Sequence, residues 1–503
     1  MKNTNLNLVA GLLVVLQFFT SCSADFLEVD PKAIQIESSY YSNAEEAFNG
    51  LIAAYDPIGW DGAGGYGNIA VLNSASDDHF GGGGSASDVI YLNLMNSFRL
   101  DAANGPHPDF WDKNFRGISR TNTILARLNG EIPGLGDDLR KRFIAEAKFL
   151  RAHYYFDLVR LFANVPLITI PLDQGEIYDI VQADPEEVYA QIEKDLTEAI
   201  AEPNLPETVP SDTEGGRVTK PAAQALLGKV YLYQEKWNQA AEQLVDVNGT
   251  PGGTSQYGNF LLPNFADIFR PDNKFNAESI FEIGHTSIAA SGWGNTSLVE
   301  GLVAVQMFGP RSYNGPTYYS GWGGAPITPG LTAALQGDPR YDATIADVGA
   351  LMEAGEATYV PGYQDTGKFI RKFAPLQEFR ATGGGPPPLN YPQNYIEIRL
   401  ADTYLMEAEA IVHGGGDLSR AAALLNAVRA RVGLNPVEAT LENIYRERRL
   451  ELATEGHRFL DLVRTGRAAE VLSPFGFTPG KNELFPIPLE ELNNTQMVQN
   501  PGY

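Results

Sequence analysis

Apolar positions recur at helical spacing in two blocks, residues 40–247 and 396–472, and lose that spacing in between. In DPEEVYAQIEKDLTEAI (184–200), Val188, Ile192, Leu196 and Ile200 fall every four residues on one face, with Asp184 and Pro185 as N-cap and first-turn signals, so an amphipathic helix is predicted. Residues 137–163 predict a longer helix that ends before Pro166, and Glu45–Tyr55 and Trp111–Leu128 predict two more. From Thr219 to Val247, Leu227, Gly228, Tyr231, Ala240 and Leu244 sit at the spacing of a tetratricopeptide helix pair, with small residues where the helices would cross. A second pair is predicted from Arg399 to Val432, turning at HGGGD (413–417). Neither pair can bury its apolar face alone, so the expected fold is mainly α, a tetratricopeptide-like helix-pair scaffold. Residues 248–395, rich in Gly, Pro and aromatic residues, are expected to form a long irregular insertion that carries the ligand face.

The first residues have a different pattern. Lys2 precedes a 12-residue apolar run from Leu8 to Phe19, too short to span a bilayer, which takes roughly 20 residues, and Cys22 follows small residues as the only cysteine in the chain. This predicts a lipoprotein signal peptide (residues 1–21) cut before Cys22, whose acyl chains would anchor residues 22–503, expected as one domain, to a membrane. Lipidation would also use up the sole thiol, leaving none for a disulfide or thiolate metal site.

Composition then narrows the partners. The formal charge is −25, or −26 once Lys2 leaves with the leader, and a pI near 4.6 repels polyanions, so nucleic acid is not an expected ligand. The six histidines show no paired ligand spacing, and Asp77, Asp78 and His79 lack the spaced carboxylates and closing Glu of a calcium loop, so no metal and no cofactor are expected. The glycine run 81–84 lacks the Lys-Ser/Thr of a phosphate loop.

Trp111 and Trp237 fall on predicted helices and are expected to pack. Trp60, Trp293 and Trp322 are each flanked by glycine in loops: IGWDGAGGYGN (58–68), SGWGNTS (291–297) and SGWGGAP (320–326). An indole between glycines has few neighbours to cover it, and its flat face suits the C–H face of a sugar ring. Asp61, Tyr66 and Asp78 (or Asp77) around Trp60, and Asn295 beside Trp293, are expected to bond sugar hydroxyls. Such rings suit β-linked glucose, so a neutral glucan is the expected ligand, unless Arg99, Arg311 and Lys368 converge on the site and favour an anionic chain. Crevice filling by the indoles, a glycoside hydrolase with two carboxylates roughly 5–9 Å apart, and a peptide ligand remain alternatives.

Along the chain come CSADFLEVDP (22–31), FWDKNFRGISRTNTIL (110–125), EAKFLRAHYYFDLVRLFANVPL (146–167), GRVTKPAAQALLGKVYL (216–232), IRLADTYLMEAEA (398–410), LLNAVRARVGL (424–434), YRERRLELATEGHRFLDLVRTG (445–466) and LFPIPLEELNNTQMVQNPGY (484–503). The order of these motifs resembles the SusD/RagB family of outer-membrane lipoproteins that capture nutrients in Bacteroidetes. The resemblance implies a cell-surface, lipid-anchored binding protein without catalytic activity, with an oligosaccharide or peptide ligand and a SusC-like TonB-dependent transporter as partner. By their own chemistry the matched stretches read as structural: Glu447, Arg448, Arg449, Glu451, Arg458 and Asp461 are expected to form an ion-pair network, and Asn500–Gly502 a turn that tucks in the chain end.

Overall fold

The structure is a computed structural model that describes residues 41–60, 68–173, 175–288, 292–293, 299–380 and 385–503. Cys22 and the leader therefore lie outside the described residues, as do Asp61, Tyr66 and Asn295. The fold is mainly α. Its long helices are α1 (Ala44–Tyr55), α2 (His107–Leu128), α3 (Asp137–Phe162), α4 (Pro185–Ala201), α5 (Lys220–Tyr233), α6 (Trp237–Asn248), α7 (Leu400–Gly414), α8 (Leu418–Arg431) and α9 (Leu441–Glu451).

Each helix from α2 onward packs on the next one in sequence, and α6 bridges to α7, so the two blocks of the sequence form one continuous stack. Local chemistry sets the ends. Asp184 and Glu187 form a capping box at α4, which buries Val188, Ile192 and Leu196. In the α5–α6 pair, a Cβ on Gly228 would stand 2.6 Å from Leu244, so only glycine permits this close crossing. Gly415, with φ +69°, ends the turn after α7, and Asp417 caps α8 by accepting the Ser419 N–H. Asn500 closes the chain end against the core, donating to the carbonyls of Phe162 and Phe485 at 3.0 and 2.8 Å.

Between α6 and α7 lies an excursion with short helices and, among the described residues, two two-stranded sheets. Strand β1 (Ser279–Ile283) pairs antiparallel with β4 (Tyr395–Arg399), which runs directly into α7, so this pair is the neck through which the excursion leaves and rejoins the scaffold. The other pair, β2 (Ile345–Asp347) and β3 (Lys368–Ile370), lies farther out with its own small core of Tyr313, Tyr318, Tyr359 and Phe369.

Buried charges fasten the excursion to the scaffold. Arg399 at the end of β4 reaches Glu278 (3.0 Å), Glu451 (2.6 Å) and Glu455 (2.8 Å). Arg340 binds Asp338, Glu447 and Glu451 at 2.8, 2.6 and 3.0 Å, Lys372 binds Glu455 at 2.7 Å, and Arg431 binds both Glu278 and Glu451. Desolvation alone would push the carboxyl groups of Glu451 and Glu455 up; the surrounding guanidiniums outweigh it and hold both below the usual range. For Lys372 desolvation wins, and its ammonium is lowered to about 8 despite Glu455. The charged motif at 447–461 is thus an ion-pair network, with Arg448 bridging Asp402 (2.8 Å) and Asp461 (3.1 Å).

Candidate functional site

Trp322 sits on a loop that completes a helix end. The short helix Ala304–Phe308 leaves carbonyls at its C-terminus without partners. The loop supplies four main-chain donors: Trp322 N–H to Gln306 (2.9 Å), Gly324 to Met307 (2.8 Å), Gly323 to Gly309 (2.8 Å) and Gly321 to Pro310 (2.8 Å). A Cβ on Gly321 would lie 2.3 Å from the Gly309 Cα, so glycine is required for this approach. From the other side the glycine run 81–84 interlocks with the same loop: Gly83 N–H donates to Gly323 O at 2.8 Å and Ala325 N–H to Gly81 O at 3.0 Å. That run is therefore a brace for the indole loop.

Side chains complete the hold. Gln306 donates to Ser320 O (3.0 Å) and accepts from Tyr391 (2.9 Å). Arg311 donates to Trp322 O (3.3 Å) and pairs with Asp88 (3.0 Å). On this fixed base Trp322 is half-buried, and Trp293 lies over it with ring centroids 5.8 Å apart and planes inclined by 37°. Trp293 is 49% exposed. The two indoles form a tilted aromatic pair open to solvent. Three residues before Trp322, Tyr319 stacks under Arg380 at 4.2 Å and accepts its hydrogen bond at 2.8 Å, adding a second flat surface to the same loop.

Trp60 stands apart and makes no ring contact with Trp293 or Trp322 among the described residues. Its ring lies 5.1 Å from the Arg120 guanidinium, which covers one face and is itself held by Asp56 (2.6 Å) and the Ala53 carbonyl (2.9 Å). The Trp60 Nε1 is buried without a hydrogen-bond partner. Trp60 thus lines the end of a groove of about 330 Å³ with Tyr55, Arg217, His285 and Glu300, and is not part of the open aromatic pair.

The expectation for Asp78 is corrected by its surroundings. Asp78 is buried and takes Arg449 at 2.5 Å, while Asp77 takes Arg458 at 2.8 Å. For Asp77, burial would raise the pKa, but the Arg458 bond and charge lower it. His79 is buried too, with Nδ1 3.0 Å from the Ala325 carbonyl. This trio joins the glycine brace to the C-terminal helices and presents no oxygen to a sugar. The three cations do not converge either: Arg311 pairs with Asp88, Lys368 with Asp347, and Arg99 bonds Ser97. Trp111 is buried against Phe162, edge to face, and Trp237 stacks on His413 at 4.1 Å, so both pack as expected.

The C-terminal third, residues 328–503, matches the family model described as "SusD family", and residues 25–232 match one described as "Starch-binding associating with outer membrane". A solved structure named as a laminarin-binding SusD-like protein is 52% identical, covers 92% of this chain and 100% of its own, and superposes with a TM-score of 0.88. The chain belongs to the SusD family. Two further similar proteins are described with a particular glycan. Surface glycan-binding protein A from Bacteroides thetaiotaomicron, solved with laminarihexaose, is 28% identical over 91% of this chain and 99% of its own, with a TM-score of 0.82. The starch-binding protein SusD of the same organism is 27% identical over 77% of this chain and 76% of its own length.

Sequence reasoning missed Tyr319, Arg380, Gln306 and Tyr391. Their only sequence signal is proximity to SGWG for Tyr319; the others come from 16 residues upstream or more than 55 downstream of Trp322 and meet the loop only through the fold.

Proposed function

We propose that this SusD-family protein is a cell-surface, lipid-anchored glycan-binding protein that captures a neutral glucan of the laminarin type and passes it, without cleaving it, to a SusC-like TonB-dependent transporter. The observation that carries the reading is the exposed Trp293–Trp322 pair on a loop fixed by main-chain bonds. Two inclined indoles suit successive rings of a curved glucan better than a flat ribbon, and stacking needs no titrating group. The laminarin-binding protein with 52% identity supports the ligand class. Binding without hydrolysis is favoured because Asp77 and Asp78, the carboxylates beside the glycine brace of the indole loop, are committed to arginines. Cys22 and the leader support the lipid anchor, and family membership supports the transporter partner.

A few stacking contacts per chain predict a Kd on the order of micromolar to millimolar, with long chains preferred over glucose. Titration calorimetry of residues 23–503 against laminarin, starch, dextran and an anionic polysaccharide tests this. Heat with laminarin that fits an affinity about tenfold weaker in Trp293→Ala supports the proposal. Binding of a peptide mixture with no glucan response sinks it, and new reducing ends after incubation would replace binding with hydrolysis.

A further inference from the structure

A second feature lies behind Trp60, away from the aromatic pair. The groove that Trp60 lines shares Ile58, Gly59, Trp60, Ile283 and His285 with an inner cavity of about 50 Å³. That volume exceeds the roughly 10–15 Å³ needed for one water-sized occupant. Its walls are polar, yet the carboxylates on them are already engaged. Glu397 receives His153 Nε2 at 2.7 and 2.8 Å, and Glu455 receives Lys372 at 2.7 Å and Arg399 at 2.8 Å.

Donors remain in excess. Trp60 Nε1–H and Arg160 Nε–H can only donate, and both are buried without partners. Lys229 is buried with three N–H groups, and its carboxylate contact, Asp402, is at 3.5 Å, a weak bond. His153, whose Nδ1 is also unpartnered, has its pKa raised: burial lowers it, and the charge and hydrogen bond of Glu397 outweigh that. His285 and His457 are held down to about 4 by burial and stay neutral near pH 7. Lys113 adds a cation at the mouth, bound to the carbonyls of Ile58 (3.0 Å) and Trp60 (3.3 Å). A buried chamber in which the unpartnered Trp60 and Arg160 N–H groups can only donate selects an acceptor that needs no proton of its own.

We propose that this cavity is a binding site for a small monovalent anion of halide size, held by Lys229 Nζ, Arg160 Nε and Trp60 Nε1. The ion satisfies three donors at once and makes Trp60 the plug that joins α1, α2 and the neck of the excursion.

The mature chain is crystallised, then soaked in sodium bromide, with data collected at the bromine edge. The expected result is an anomalous peak inside the cavity within about 3.5 Å of Lys229 Nζ and Trp60 Nε1. Density without anomalous signal means water alone and overturns the proposal. In solution, Tm is measured in sodium chloride and in sodium gluconate at matched ionic strength. Chloride should give a saturable rise of about 1–3 °C that is lost in Trp60→Phe, which keeps a ring and removes the N–H, and in Lys229→Met. If Lys229→Met does not fold, Trp60→Phe and the bromide peak still decide. Equal Tm in both salts for the wild-type protein overturns the site.

Discussion

The base and the top of the excursion are built from opposite materials. At the base, Arg340, Arg399, Lys372, Glu278, Glu451 and Glu455 are all but inaccessible to solvent, and each is paired. At the top, Trp293 is half exposed and rests on a partner indole whose position comes from main-chain bonds. Charges taken out of water tolerate few arrangements, because any group left unpaired is costly, so the base fixes where the loops stand. The indoles carry no such constraint and remain open to a ligand. Rigidity is thus supplied from below, and the proposed recognition surface contributes little to stability.

The comparison breaks if the base proves dispensable. Glu451→Gln leaves three buried guanidiniums short of one charge and should cost about 3–5 kcal/mol in urea unfolding at pH 7; a loss below 1 kcal/mol would show that the network is not what holds the excursion. Gly321→Ala tests the link between base and top. Its Cβ would collide with the Gly309 backbone, so a cost of about 1–3 kcal/mol is expected together with weakened laminarin retention on affinity gels.

Acid sharpens the contrast. The folded pKa values of Glu451 and Glu455 lie below the unfolded value near 4.5, so their stabilisation is complete above that pH and is lost as pH falls through the lower folded values. Unfolding free energy should fall below about pH 4.5 by up to about 1.4 kcal/mol per pH unit for each group, and Glu455→Gln should reduce that slope. Glucan binding through indoles should stay flat from pH 6 to 9. The smallest effect belongs to Trp293→Ala: about tenfold weaker laminarin binding by calorimetry, roughly 1.4 kcal/mol, with an unchanged urea midpoint.

The helical scaffold was legible because its signals are local. Capping residues and four-residue spacing act within one or two turns, and α4 and the outer ends of the α5–α6 pair fall within one or two residues of where the sequence places them. Glycine flanking also pointed to each loop indole. What the sequence could not show is which neighbours arrive from far away. Asp78 reads as a free loop carboxylate until Arg449, 371 residues on, reaches it, and Trp60 reads as an open platform until Arg120 covers one face. The pairing of Trp293 with Trp322 depends on the return path of the excursion, which no local pattern encodes.

The interlock between the two glycine runs has a practical side. Because the SGWG turn is held through its own N–H and C=O groups, with Gln306 and Arg311 donating to its carbonyls, the side chains of Tyr319, Ser320 and Arg380 are not what keeps it in place. A library randomised at Tyr319, Ser320 and Arg380 can therefore be screened for altered sugar preference with Trp322 still presented at the same angle, which makes this loop a starting point for engineered carbohydrate reagents.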